Sequence, residues 1–273
     1  MPILQQAASR RADYVETFKD LTAVETKTTE LFDKNGKTEK QRKVISDLLI
    51  YKLQTNSSVM DEFRITREVD GKPVGQGEKR AIELLGSLAK SKNFEQERKR
   101  LRDENLKYTL KYYRWGITLQ PVPAVIKEMQ PAYEFLLGQS ELIDGRKMVV
   151  LNYQSKGDSP SSSNLVRNFT NPRIGDRGKV WLDSEDFRVW RWVSEKTVID
   201  KDITSPVVYM RDEIQYVPSA FGIRVPKTVT TSFFDKDESE RRSVRLTGRI
   251  TYTYDAFKRF EVSTESELQI PPH

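Results

Sequence analysis

Cysteine is absent from the 273-residue chain, and its one histidine, His273, is the last residue. With no thiol there is no disulfide, no thiolate metal site and no cysteine nucleophile. Without an internal imidazole, a serine-type triad, a histidine-ligated zinc site and imidazole acid–base catalysis have no side chain to work with. No apolar run of about 18 residues occurs, so no segment reads as a membrane-spanning helix. The opening MPILQQAASR also lacks the basic start and apolar core of a signal peptide and reads as a trimmed start, so any export signal is expected to lie outside this sequence.

Basic residues number 46 against 40 acidic ones, a net charge of +6, and the two signs are intermixed along the chain. Nucleic-acid binders concentrate basic residues on one face or helix, so this pattern argues against that class. Hydrophobic residues make up 37% and charged residues 32%, with alternating patterns throughout, which describes a polar-surfaced globular protein and not a disordered one.

The strongest local signal is Gly178–Val193, GKVWLDSEDFRVWRWV, which holds three of the four tryptophans. Gly178–Leu182 and Phe187–Val193 are rich in β-branched and aromatic residues, and Asp183-Ser-Glu-Asp186 between them is a turn, so the stretch reads as a hairpin. Strict alternation puts Arg188, Trp190, Trp192 and Ser194 on one face. Two indoles there offer roughly 400 Å² of apolar surface, which requires a cover: core, helix or ligand.

Before the hairpin, residues 8–20 read as a helix with Ala8, Ala12, Val15 and Phe18 at helical spacing. Leu21–Phe32 and Lys43–Leu53 alternate as strands across Asp33-Lys-Asn-Gly-Lys37, a turn signal. That loop is not a calcium site, because its twelfth position is Val44 where a glutamate is needed. Met60–Val69 is a third strand. Gly71, Gly75 and Gly77 do not form a phosphate loop, since position 76 is Gln. Ala81, Leu84, Leu85 and Leu88 mark a helix, and Phe94–Leu106 a second one laced with ion pairs, together a helical insertion at about 76–107. Tyr108–Gln120 is a strand carrying Trp115. Pro121–Pro131 reads as a short apolar helix bounded by prolines, with Val122, Val125, Ile126 and Met129 placed to form a lid.

Tyr133–Ile143 and Lys147–Gln154 form a hairpin across Asp144-Gly145. Lys156–Arg173 and Lys196–Pro206 read as loops. Val207–Val217, Ile223–Phe234 and Ser243–Phe260 read as strands, the last with Leu246, Ile250, Tyr252 and Tyr254 on one face. The turn carboxylates Asp235, Asp237 and Glu240 read as solvated, leaving no metal or cofactor expected.

Helix, hairpin, strand, helical insertion and a long antiparallel meander is an order that resembles the LolA/LolB-type lipoprotein-localisation factors of bacteria. Three stretches carry the resemblance: Ile143-Asp-Gly-Arg-Lys-Met-Val-Val-Leu151, Gly178-Lys-Val-Trp-Leu-Asp with Phe187-Arg-Val-Trp-Arg, and Ile223-Arg-Val-Pro-Lys-Thr-Val. It covers about 140–260 by motif and the N-terminal part by element order, and it is closer to uncharacterised exported members than to the sorting factors. The resemblance implies an α+β chain forming one domain over 1–273: a strongly curved antiparallel half-barrel of about ten or eleven strands with a few helices packed on its concave side. It further implies an exported, periplasmic protein that binds lipid, an acyl chain or a lipoprotein, without catalysis.

Under that reading Trp115, Phe135, Trp181, Trp190, Trp192 and Met210 are the expected cavity walls. A greasy concave face gains about 25 cal/mol per Å² of hydrocarbon buried and needs no catalytic residue. Two other readings remain open. One is a sensor or protein-interaction module on the same scaffold, using a groove or a sheet edge. The other is a carboxylate-dependent enzyme, for which no acidic pair stands out.

Overall fold

The computed structural model describes residues 1–18, 21–51, 61–74, 122–160, 171–199, 205–236 and 244–259, with scattered positions between 96 and 111. The helical insertion expected at 76–107 and the strand around Trp115 fall almost wholly outside the described residues. The chain opens with a helix, α1 (Pro2–Phe18), followed by β1 (Leu21–Phe32), β2 (Thr38–Tyr51), β3 (Asp61–Val69) and β4 (Lys72–Pro73). After two 3-10 turns, Pro123–Val125 and Gln130–Ala132, come β5 (Tyr133–Leu137), β6 (Glu141–Ile143), β7 (Arg146–Ser155) and β8 (Ser159–Pro160). The meander ends with β9 (Arg173–Asp183), β10 (Val189–Ile199), β11 (Val207–Pro218), β12 (Arg224–Lys236) and β13 (Val244–Arg259).

All these strands join one 13-stranded sheet in the order β4-β3-β2-β1-β13-β12-β11-β10-β9-β7-β5, with β6 beside β7 and β8 beside β9. Every pairing is antiparallel. The sheet is therefore larger than the ten or eleven strands expected. The helices are fewer: among the described residues α1 is the one long helix. Pro121–Pro131, expected as a helix, forms the two 3-10 turns instead, because prolines at 121, 123 and 131 remove donors and restrict the residues before them.

Tight turns set the register. Asp70 and Gly71 (φ 51° and 78°) and Asp144 and Gly145 (φ 50° and 75°) have positive φ at both central positions, the geometry of a type I′ hairpin turn. One continuous row of directly paired residues crosses most of the sheet: Leu151, Val180, Trp192, Ile214, Val229, Tyr252, Lys27 and Val44. All eight are buried, which identifies the covered face.

The cover over part of that face is α1. Leu4, Ala7, Arg11, Tyr14 and Phe18 recur at three- and four-residue spacing, so they share one side of the helix. Leu4, Ala7 and Phe18 are buried in the cores beneath it. Tyr14 stacks on Phe18 at 5.0 Å and meets Tyr216 of β11 edge-on at 6.4 Å. Burial of Leu4 and of Phe18 contributes about 1.5–3 kcal/mol each. This stripe is one residue, about 100° of rotation, out of phase with the Ala8, Ala12 and Val15 stripe expected from sequence, where alanines carried too much weight.

Two β-bulges reverse expected faces. Between Val189 and Arg191 the β10 register slips against Leu182 and Trp181, leaving Trp190 as the extra residue. Trp192 stays in the covered core, while Trp190 joins Trp181, Val193, Met148 and Val150 on the opposite face. The slip between Phe233 and Phe234 pairs Leu246 with Phe234, so Leu246 faces away from Ile250, Tyr252 and Tyr254. The last three are buried together as expected.

Candidate functional site

A cavity of about 60 Å³ lies beneath α1. Its walls come from three places: Ala7, Arg11 and Tyr14 of α1, Val122 and Val125 of the first 3-10 turn, and Tyr216, Ile223 and Arg224 at the junction of β11 and β12. The junction is fixed locally. Ser219 donates from both its backbone nitrogen and its Oγ to the Ile223 carbonyl, and Gly222 supplies the positive φ (73°) that this tight connection needs. Ile223 and Arg224 are thereby placed against the cavity.

The lining is apolar apart from two tyrosines and its arginines. Four of the thirteen lining residues are arginines, Arg10, Arg11, Arg188 and Arg224, and none is acidic. Arg224 is committed: it donates to Asp183 at 2.7 Å and Asp186 at 2.8 Å, and stacks over Trp190 at 4.8 Å. Asp183 also accepts from Arg146 at 2.6 Å and from the Glu185 backbone N–H. Burial alone would raise the Asp183 carboxyl, but the Arg146 and Glu185 hydrogen bonds with the Arg224 and Arg146 charges hold it below its ordinary value. Arg10 pairs with Asp13 at 3.7 Å, and Arg188 lies 3.9 Å from Asp186. Arg11 has no ion pair or hydrogen bond among the described residues. Tyr216 is a buried residue that lines the cavity, and its hydroxyl has no hydrogen-bond partner among them either.

Two polar clusters elsewhere on the covered face hold their groups differently. Arg64 of β3 donates to both oxygens of Glu25 (2.7 and 2.8 Å) and to Glu62 (2.9 Å), all three side chains buried. Beside them Lys27 donates to Thr109 at 3.3 Å and lies over the Tyr252 ring. Burial, then the Arg64 charge, push the Lys27 ammonium from its ordinary value down to about 8, with Glu25 opposing. In the second cluster Asp176 accepts from Ser194 at 2.8 Å, Lys196 at 2.6 Å and Tyr133 at 2.9 Å. The Ser194 proton points to a carboxylate and the residue is buried, so this arrangement locks strands together and does not present a nucleophile. No group of three or more His, Asp or Glu side chains suited to a metal occurs among the described residues.

The expected wall residues separate accordingly. Trp192, Met210 and the half-buried Phe135 belong to the covered core, together with the expected lid residues Val122, Val125 and Ile126. Of all these, Val122 and Val125 reach the cavity. Met129 is half-buried at the end of the segment. Trp181 and Trp190 are not wall residues of that face: they lie on the other one, with Arg191 stacked over Trp181 at 4.8 Å. Trp115 lies outside the described residues. Sequence reasoning passed over Arg11, Tyr14 and Tyr216. The signal was there in the 4, 7, 11, 14, 18 spacing, where an arginine interrupts an otherwise apolar stripe.

No protein-family model matches the chain, and no curated protein matches it. Among solved structures it is similar to a candidate outer membrane lipoprotein-sorting protein domain from Vibrio parahaemolyticus, at 10% identity and a TM-score of 0.38, over 97% of this chain and 93% of that one. It is similar too to a DUF1329 family protein from Desulfovibrio piger, at 11% identity and a TM-score of 0.38, over 94% and 92% of the two chains. A third is the Pseudomonas aeruginosa MucA/MucB complex, at 10% identity and a TM-score of 0.23, over 93% and 98%.

Proposed function

We propose that this chain is a non-enzymatic binding protein for an amphiphile or acyl chain, taken up on the covered face beneath α1. The observation that carries the reading is a helix laid by a narrow apolar stripe over an aromatic sheet face, with a cavity between them. At about 60 Å³ that cavity has room for about four or five waters, far less than the 300–1,000 Å³ of a drug-sized pocket. Uptake of a chain therefore requires α1 and the Pro123–Val125 turn to move apart from the sheet, as a lid. The sheet bent into a half-barrel around its ligand, and an exported, periplasmic setting, belong to the same proposal through the resemblance to LolA/LolB-type factors.

The test is native mass spectrometry and lipid extraction of protein expressed with export. Bound acyl species, and quenching of Trp192 emission by added brominated fatty acid, are the expected result. Protein that is reproducibly free of lipid and whose emission ignores fatty acid and phospholipid would sink the proposal.

A second reading has its own observation. β5 ends the sheet in the order of described strands, and Leu136, Leu137 and Leu142 on the β5–β6 side are 70%, 62% and 76% exposed. An unpaired edge flanked by leucines suits a partner strand. If that is the working surface, Leu137→Glu abolishes partner capture and leaves amphiphile uptake unchanged.

A further inference from the structure

We infer that Arg11 and Tyr216 together recognise the anionic head group of a single-chain amphiphile in the cavity beneath α1. This rests on the reading of that cavity as an amphiphile site and specifies what kind of ligand it takes. Arg11 is half-buried in the inward stripe of α1, where a long stem packs on apolar surface while the guanidinium stays accessible. The other three arginines that line the cavity each have a carboxylate neighbour. Arg11 has none among the described residues, although it lines the same cavity.

Tyr216 is the independent observation. It is 7% exposed, lines the cavity, and its hydroxyl has no hydrogen-bond partner among the described residues. A hydroxyl that lines a cavity and has no protein partner is free to bond a group that enters it. A carboxylate or phosphate oxygen meets both needs, accepting from the guanidinium and from the phenol. Burial raises the phenols of Tyr14 and Tyr216, and the Arg11 charge opposes that rise in both, so the cation acts at the place where the hydroxyl stands. Ala7, Val122, Val125 and Ile223 of the same lining are apolar, which fits the first carbons of an attached chain. The volume suits a head group with those carbons, and the rest of the chain follows the opening of α1.

The experiment compares laurate, dodecyl phosphate and neutral dodecanol, titrated by calorimetry into the full chain and into Arg11→Gln, Arg11→Lys and Tyr216→Phe, each first checked by circular dichroism and urea unfolding. The wild type is expected to bind at least one anion about tenfold or more tightly than dodecanol, the scale of one charge-assisted hydrogen bond. Arg11→Gln should erase that preference without weakening dodecanol, Arg11→Lys should keep most of it, and Tyr216→Phe should lose about threefold to fivefold for the anion alone. Which anion wins identifies the head as carboxylate or phosphate. Equal affinity for all three ligands in the wild type overturns this inference and leaves amphiphile binding standing. Parallel loss of dodecanol and anion in Arg11→Gln also overturns it, since the arginine is then structural. Binding of none of the three overturns both readings.

Discussion

The covered face of the sheet has two halves that solve burial in opposite ways. From β7 to β13 the central row is Leu151, Val180, Trp192, Ile214, Val229 and Tyr252, where apolar contact dominates, with the Asp176 cluster beside it. On β1 and β3 the inward positions are Glu25, Lys27, Glu62 and Arg64, all buried. The first half gains about 25 cal/mol per Å² and needs no particular geometry. The second loses hydration of four charges and recovers it only while each keeps its partner. One half tolerates rearrangement and the other fixes the register of three strands; α1 reaches both, with Leu4 and Ala7 in the first and Phe18 against Leu21 and Ile50 beside the second.

The contrast breaks most visibly at Arg64. Arg64→Met should cost about 3–5 kcal/mol in urea unfolding, because Glu25 and Glu62 stay buried without their cation. Replacing all three together, Glu25→Leu, Glu62→Leu and Arg64→Met, should restore most of that stability. If the single and triple variants are equally destabilised, the cluster is not a mutually dependent unit. In the apolar half the corresponding weak point is Gly178. A Cβ there would run into the Val193 carbonyl and stand 2.7 Å from the Tyr153 hydroxyl, so Gly178→Ala should cost about 3 kcal/mol in the same assay. A neutral result would mean that the two strands can separate locally.

Lys27 sharpens the comparison by pH. Its ordinary value is 10.5 and the folded protein holds it at about 8, so the unfolded chain binds more protons between those two values. Stability attributable to Lys27 therefore rises with pH from about 8 to 10.5, by at most about 3 kcal/mol. Lys27→Met should remove that rise and be the more stable protein at pH 7. A flat profile in the wild type over this window would show that the ammonium is solvated after all.

Much of this architecture could be read from the residues, and the failures share a cause. β1 was legible to the residue because Leu21–Phe32 alternates strictly and is stopped by Asn-Gly. The hairpin at Asp144-Gly145 was legible because positive φ at two successive positions has few sequence solutions. What alternation cannot show is a bulge. One extra residue at Trp190 sent an indole to the other face, and another near Leu246 did the same. The buried charges were hidden for a related reason: Glu25 and Lys27 look like the polar face of β1 until Arg64, 39 residues from Glu25, is seen between Glu25 and Glu62. Of the cavity lining, Val122 and Val125 were expected as lid residues, while Arg11 depended on which side of α1 faces inward and Tyr216 on which strand end α1 covers.

The smallest expected effect separates the two indoles that sequence alone placed side by side. Trp192 donates from Nε1 to the Tyr153 hydroxyl at 2.8 Å inside the covered core. Trp190 instead lies under the Arg224 guanidinium on the far face. Trp192→Phe should cost about 1 kcal/mol in hydrogen bonding beyond its lost packing, and Trp190→Phe about 0.5–1 kcal/mol through the cation–π contact. Stability alone hardly tells these apart, but quenching does. If an amphiphile enters beneath α1, a brominated fatty acid should quench emission in the Trp190→Phe protein and leave the Trp192→Phe protein much less affected. Equal quenching in both would place the ligand outside the covered face, and α1 would then be a fixed part of the core.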